Sequence, residues 1–218
     1  MAAGGGSTPT GGTAVRPAPD ASLGSEDAGC VGHRPTGRVG SGTDTPGGDD
    51  AVDVSDLLIE AYGRIPPLAE AAVDGLDAEA LATPPGPGAN TVGWLVWHLA
   101  RVQDHHVAEL LDEDQLWVTG DWAARFGLEA DPGNTGYGHD AEEVAAVRPD
   151  GPEACTGYLA AVQERTEAYL RTLSRSDLDR VVDDRWDPPV TLGVRLVSVA
   201  DDSLQHVGQA AYARGLRG

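Results

Sequence analysis

The sequence contains no lysine: all 15 of its basic residues are arginine. Schiff-base chemistry and a phosphate-loop lysine are therefore excluded. Cysteine is nearly absent too, with only Cys30 and Cys155. That is too few for a disulfide framework and suits a reducing cytoplasm. No stretch approaches about 18 uninterrupted apolar residues, and no basic segment leading into an apolar one opens the chain. A cytoplasmic protein with no membrane span is predicted. Basic residues are few beside 35 acidic ones, giving a net charge of −20. Such a chain repels polyphosphate backbones and anionic headgroups, so neither nucleic acid nor a membrane surface is expected as a partner.

The 218 residues suffice for one domain with a tail. Residues 1–50 hold 13 of the 29 glycines and 5 of the 15 prolines, with hardly a large apolar side chain among them. A segment of this kind cannot bury enough apolar surface to offset its chain entropy, and it reads as a disordered tail. It carries only six acidic residues and three arginines, so 12 arginines against 29 acids remain beyond it, a net of −17. The acidity belongs to the folded body, residues 51–218.

In that body apolar residues recur at helical spacing and alternating runs are nearly absent, which predicts an all-α fold. A first helix opens near Asp53 or Ser55 and runs to about Leu76, with a kink at Pro66-Pro67. A second runs from a cap at Asn90 or Thr91 to Leu111, a third from Pro152 to Leu173, and the last from about Thr191 to Arg214. Between Trp117 and Pro149 the pattern weakens into a long connection, with a capping box at Asp140-Ala-Glu-Glu143 that opens a short helix. Four long helices and one elaborate crossover make a four-helix bundle.

Asp202 and His206 lie four residues apart on the last helix, so their side chains project roughly 40° apart and about 6 Å along the axis. Both can grip one ion. A third donor must come from a facing helix, and His98 is the natural one. It sits mid-helix among Trp94, Leu95, Trp97 and Leu99, where an unpaired imidazole is costly. Two imidazoles and one carboxylate leave coordination positions open, as catalytic zinc sites do. His105, on nearly the same face as His98, is a rival ligand or a partner that supports the ligands, whereas His106 is expected to point elsewhere.

Arg195 precedes Asp202 by two helical turns and is a candidate for meeting a carboxylate or carbonyl of a substrate; the alternative is a plain ion pair with one of the many acids, Asp201 and Asp202 among them. Trp94 is the second candidate substrate contact. Cys155 near a helix start has no histidine beside it in sequence and reads as a core or surface thiol. No catalytic side chain beyond the metal centre is indicated.

The strings Thr91-Val-Gly-Trp-Leu-Val-Trp-His-Leu-Ala-Arg-Val-Gln-Asp104, Thr135-Gly-Tyr-Gly-His139, Trp186-Asp-Pro-Pro-Val-Thr-Leu-Gly-Val-Arg-Leu-Val-Ser-Val199 and Asp202-Ser-Leu-Gln-His-Val-Gly-Gln-Ala-Ala-Tyr212 resemble the DinB superfamily, in particular its mycothiol-dependent transferase branch. The likeness runs from Val52 to Leu216. It implies a bundle holding a divalent metal, usually zinc with nickel or iron as alternatives, through His98, Asp202 and His206. Relatives place histidine or glutamate where this chain has the shorter Asp202. The implied activity is transfer of mycothiol, as cosubstrate, to an electrophile in detoxification, with a metal-held sulfur as nucleophile. The implied partners are a small thiol and an electrophile, with homodimerisation left open. Two further readings share the site: metal-dependent hydrolysis, and a stress-induced binding bundle that catalyses nothing.

Overall fold

The computed structural model describes residues 53–217. The predicted tail, with Cys30 and His33, lies outside the described residues. Nine α-helices are present among the described residues: α1 (Val54–Gly63), α2 (Ile65–Val73), α3 (Ala78–Ala82), α4 (Val92–Leu111), α5 (Leu116–Thr119), α6 (Trp122–Arg125), α7 (Ala141–Ala146), α8 (Pro152–Leu170) and α9 (Leu192–Gly215). A 3-10 turn, Arg175–Asp179, leads into a two-stranded antiparallel ribbon of β1 (Val181–Asp183) and β2 (Val190–Thr191).

The first predicted helix is two helices rather than one kinked helix. The break falls at Arg64, and Pro66 and Pro67 sit in the first turn of α2. At that position their missing N–H groups break no intrahelical bond. Threonines open both helices that carry the candidate ligands: Thr91 Oγ accepts from Trp94 N at 3.0 Å, and Thr191 Oγ from Val194 N at 3.4 Å. Such caps satisfy one of the otherwise orphaned N–H groups of the first turn. The capping box at α7 forms as its sequence indicates, Asp140 accepting from Glu143 N and Glu143 from Asp140 N. The third long helix stops at Leu170, one turn early, and the ribbon was not expected from sequence.

α1 and α2 together make one arm of a four-helix bundle. α2 and α4 each pack between α8 and α9, so α4 and α9 lie side by side. Tyr62 fastens the first arm to α9 by donating its buried hydroxyl to Leu196 O at 2.8 Å. Trp97 and Trp117 are fully buried in the core. At roughly 200 Å² each and about 25 cal/mol/Å², each contributes up to about 5 kcal/mol of hydrophobic stabilisation.

The crossover from α4 to α8 is held to α4 by polar groups buried with the tryptophans. Arg101, with no exposed surface, donates to Asn134 O at 3.0 Å and Pro132 O at 3.2 Å and lies over the Trp117 ring. Asp104, equally buried, accepts from Leu116 N, Trp117 N, the Tyr158 hydroxyl and Arg165. One carboxylate thereby caps α5, ties it to α8 and compensates Arg101 at 3.5 Å. Among the described residues no helix is long and apolar enough to cross a membrane.

Candidate metal centre

His98 on α4 and Asp202 and His206 on α9 bring one donor atom each within 4.8 Å of one another. Both imidazoles have their tautomers fixed by main-chain acceptors. His98 Nδ1–H donates to Thr135 O at 2.6 Å, and His206 Nδ1–H to Asp202 O at 2.8 Å. With Nδ1 so engaged, each Nε2 keeps its lone pair for a ligand, an arrangement found around metal-bound histidines. Burial lowers the pKa of His98 below its ordinary value, so the ring is neutral at neutral pH.

The donor set fits a divalent ion on a second count. Asp202 Oδ2 is buried and accepts no hydrogen bond, its contact with His206 Nδ1 being a long 3.5 Å, which for a carboxylate oxygen is costly unless a cation meets it. One carboxylate and two imidazoles suit zinc and the neighbouring transition metals, and leave room for a further ligand.

The ring of Trp94 stacks on His98 with centroids 4.6 Å apart and planes 10° from parallel. Its N–H donates to His139 Nδ1 at 3.1 Å, and His139 Nε2–H in turn to Asn134 Oδ1 at 2.9 Å. Trp94 is 5% exposed and does not line the pocket beside the site. Stacked on the His98 imidazole, it is placed to support that candidate ligand rather than to wall the pocket. Gly136 adopts φ +91°, which lets the crossover pass close enough for Thr135 O to reach His98.

A pocket of about 490 Å³ leads away from His98 and Asp202 between α4 and α9, a volume in the usual range for small-molecule sites. Val102, Val194 and Val199 give it apolar walls, and Tyr137 and Trp186, 94% and 66% exposed, stand at its rim. Arg195 lines it further along. Arg195 does form an ion pair with an acid, Asp183 at 3.0 Å rather than Asp201 or Asp202, and its Nη1 donates to His106 Nδ1 at 3.1 Å.

His106, expected to point elsewhere, lines this pocket with His105. Eight residues past His98 it is rotated by only roughly 80°, within the broad stripe a helix turns toward its neighbour. His105, His106 and Glu109 also place donor atoms within 4.8 Å of one another. The Arg195 cation beside His106 opposes a metal there; with burial first and that cation second, the His106 pKa falls to about 4. His105 belongs to that group and not to the His98 cluster. Gln209 is exposed. Cys155 is buried and its thiol is pushed up to about 12 by desolvation, so it is an unreactive core residue.

Arg101, Asp104, Thr135, Gly136 and His139 hold the site in place; all five fall in strings that carry the family resemblance, but the sequence alone assigns none of them a role. A further signal is a charged pair three residues apart, Arg101 and Asp104, inside an otherwise apolar helix stretch.

Residues 62–210 match the DinB superfamily. A conserved protein from Enterococcus faecalis of known crystal structure is 35% identical, with a TM-score of 0.70, over 76% of this chain and 98% of that one. YfiT from Bacillus subtilis, described as a probable metal-dependent hydrolase with an unusual four-helix bundle topology, is 20% identical, with a TM-score of 0.50, over 76% of this chain and 90% of its own. That second likeness is one of fold. No curated protein sequence matches the chain.

Proposed function

The chain belongs to the DinB superfamily, and from that premise we propose that it is a metal-dependent enzyme that transfers mycothiol, a low-molecular-weight thiol, to an electrophilic substrate. The observation that carries the reading is the convergence of His98, Asp202 and His206 with Asp202 Oδ2 buried and accepting no hydrogen bond. His98 and His206 would hold the ion through Nε2 and Asp202 through its carboxylate. Zinc is the expected occupant. A divalent ion there acts as a Lewis acid that favours the deprotonated form of a thiol or of water at neutral pH.

The remaining work falls to the chain itself. Thr135 O and Asp202 O keep both imidazoles in the competent tautomer, and the Trp94 ring fixes the plane of His98. The pocket toward Arg195 offers space and apolar walls for the electrophile, and Arg195 its polar contact. The hydroxyl of Ser198, which lines this pocket, is engaged with Val194 O at 2.8 Å, and the reading assigns the nucleophile to the cosubstrate. The protein is expected to act in the cytoplasm.

Metal-dependent hydrolysis uses the same three ligands and agrees with the description of YfiT. One experiment separates the two. Protein purified without a histidine tag is analysed for metal, and electrophile turnover is followed with and without mycothiol. About one divalent ion per chain, lost in His206→Ala, and turnover that requires the thiol are expected. Turnover equal without thiol replaces the transfer reading by hydrolysis, and a folded, metal-free wild type overturns both.

A further inference from the structure

Arg195 is the sole permanently cationic side chain among the described residues that line the pocket, and Asp202 the sole carboxylate. The side chain of Arg195 is only 14% exposed, yet part of its hydrogen-bonding capacity is unused. A guanidinium carries five N–H donors. One goes to Asp183 Oδ2 and one to His106 Nδ1. The Nε–H and one hydrogen on Nη2 have no acceptor among the described residues, and Nη1 also lies 3.4 Å from His106 Nε2.

Asp183 does not cancel this charge. Its two oxygens are also gripped by Arg185, both at 2.8 Å, and that guanidinium holds the carboxyl well below the usual range. Two guanidiniums share that carboxylate, and the further acids that act on this group, Glu109 and Asp184, act on Arg185 rather than line the pocket. On the other side His106 stays neutral, since its pKa is about 4, and so adds an acceptor for Arg195 without adding a cation. A second donor lies close by. Gln115 Nε2 donates to His105 Nδ1 at 3.1 Å, which leaves the His105 proton on Nε2, in a ring that also lines the pocket.

We propose that the end of the pocket remote from Asp202 is a carboxylate subsite, built on the Arg195 guanidinium with His105 as a second donor, so that the substrate carries a carboxylate there. Arg195 and Asp202 are seven residues apart on one helix, about 10 Å along its axis. Val102, Val194 and Val199 lie along the pocket with them. The substrate class is thus an elongated acid: a reacting end at the ligand triad, an apolar middle, and an anionic end on Arg195. Planar bidentate pairing is what an arginine offers a carboxylate and a lysine does not. The purpose of the subsite rests on the thiol-transfer reading; its affinity for a carboxylate does not.

The test uses full-length protein loaded with cobalt(II) and two probes of the same length and nearly the same shape, the anionic 6-mercaptohexanoate and the neutral 6-mercaptohexanamide. Calorimetry gives the Kd of each, and sulfur-to-cobalt absorption shows whether the thiol end reaches the ion. Salt of about 0.15 M, where the Debye length is about 8 Å, prevents the overall negative charge of the chain from masking the local effect. Both probes are expected to give the absorption band, with the acid binding roughly tenfold tighter than the amide. The preference is lost in Arg195→Gln and partly kept in Arg195→Lys.

Equal Kd values in the wild type overturn the subsite, a result that needs no variant to fold. An acid preference that persists in folded Arg195→Gln overturns it as well. If neither probe gives the band while the acid retains an Arg195-dependent advantage, the subsite stands and the thiol reading fails.

Discussion

A β-carbon on Gly136 would stand 2.7 Å from Nδ1 of His98 and 2.8 Å from the Trp97 ring. The first contact is with the atom that donates to Thr135 O, so the glycine and the ligand tautomer depend on the same close approach. Gly136→Ala is expected to cost at least about 1–2 kcal/mol from the positive φ alone and to displace Thr135 O from His98. Urea unfolding of metal-free protein reads the first effect. Zinc competition against a chromophoric chelator reads the second.

Trp94→Phe keeps an aromatic ring over His98 and removes the N–H that bonds His139. Groups that orient a metal-binding imidazole from behind typically cost 10- to 100-fold in affinity when removed. Here, with the stacking preserved, the expected loss is roughly tenfold, with the unfolding midpoint little changed.

Asp104 compensates buried Arg101 and Arg165 at once. Asp104→Asn leaves those guanidiniums without a counter-charge, a change expected to cost about 3 kcal/mol or more. The urea midpoint should fall without a change in slope.

His106 has a folded-state pKa of about 4 against an ordinary 6.5, lowered by burial, then by Arg195 and His105, with Glu109 opposing. Between those two values the unfolded chain takes up a proton that the folded chain refuses. Stability therefore falls as pH drops from 6.5 toward 4. In His106→Gln that decline is expected to be shallower, as urea titrations across the window would show.

The three candidate ligands were legible because their chemistry and spacing are written in side chains. Asp202 and His206 share a helix face, and His98 is a polar residue where Trp94, Leu95 and Trp97 demand an apolar core. What holds them was not legible. Thr135 acts on His98 through a main-chain oxygen, which any residue type provides, and Asn134 and Pro132 do the same for Arg101. The two-helix first arm turned on whether Pro66-Pro67 fall inside a helix or at its start, and the apolar pattern runs through both cases. His106 was misplaced by treating the helix face as a line, when the surface that α4 shares with α9 spans both His98 and His106.

Asp202 and Arg195 ride on one uninterrupted helix, whereas the rim residues Tyr137 and Trp186 come from separate connecting segments. The gap between reacting end and anchoring end is consequently a fixed ruler. Insertions or substitutions in the connecting segments can change which molecules gain entry while the measured length of an acceptable one stays the same.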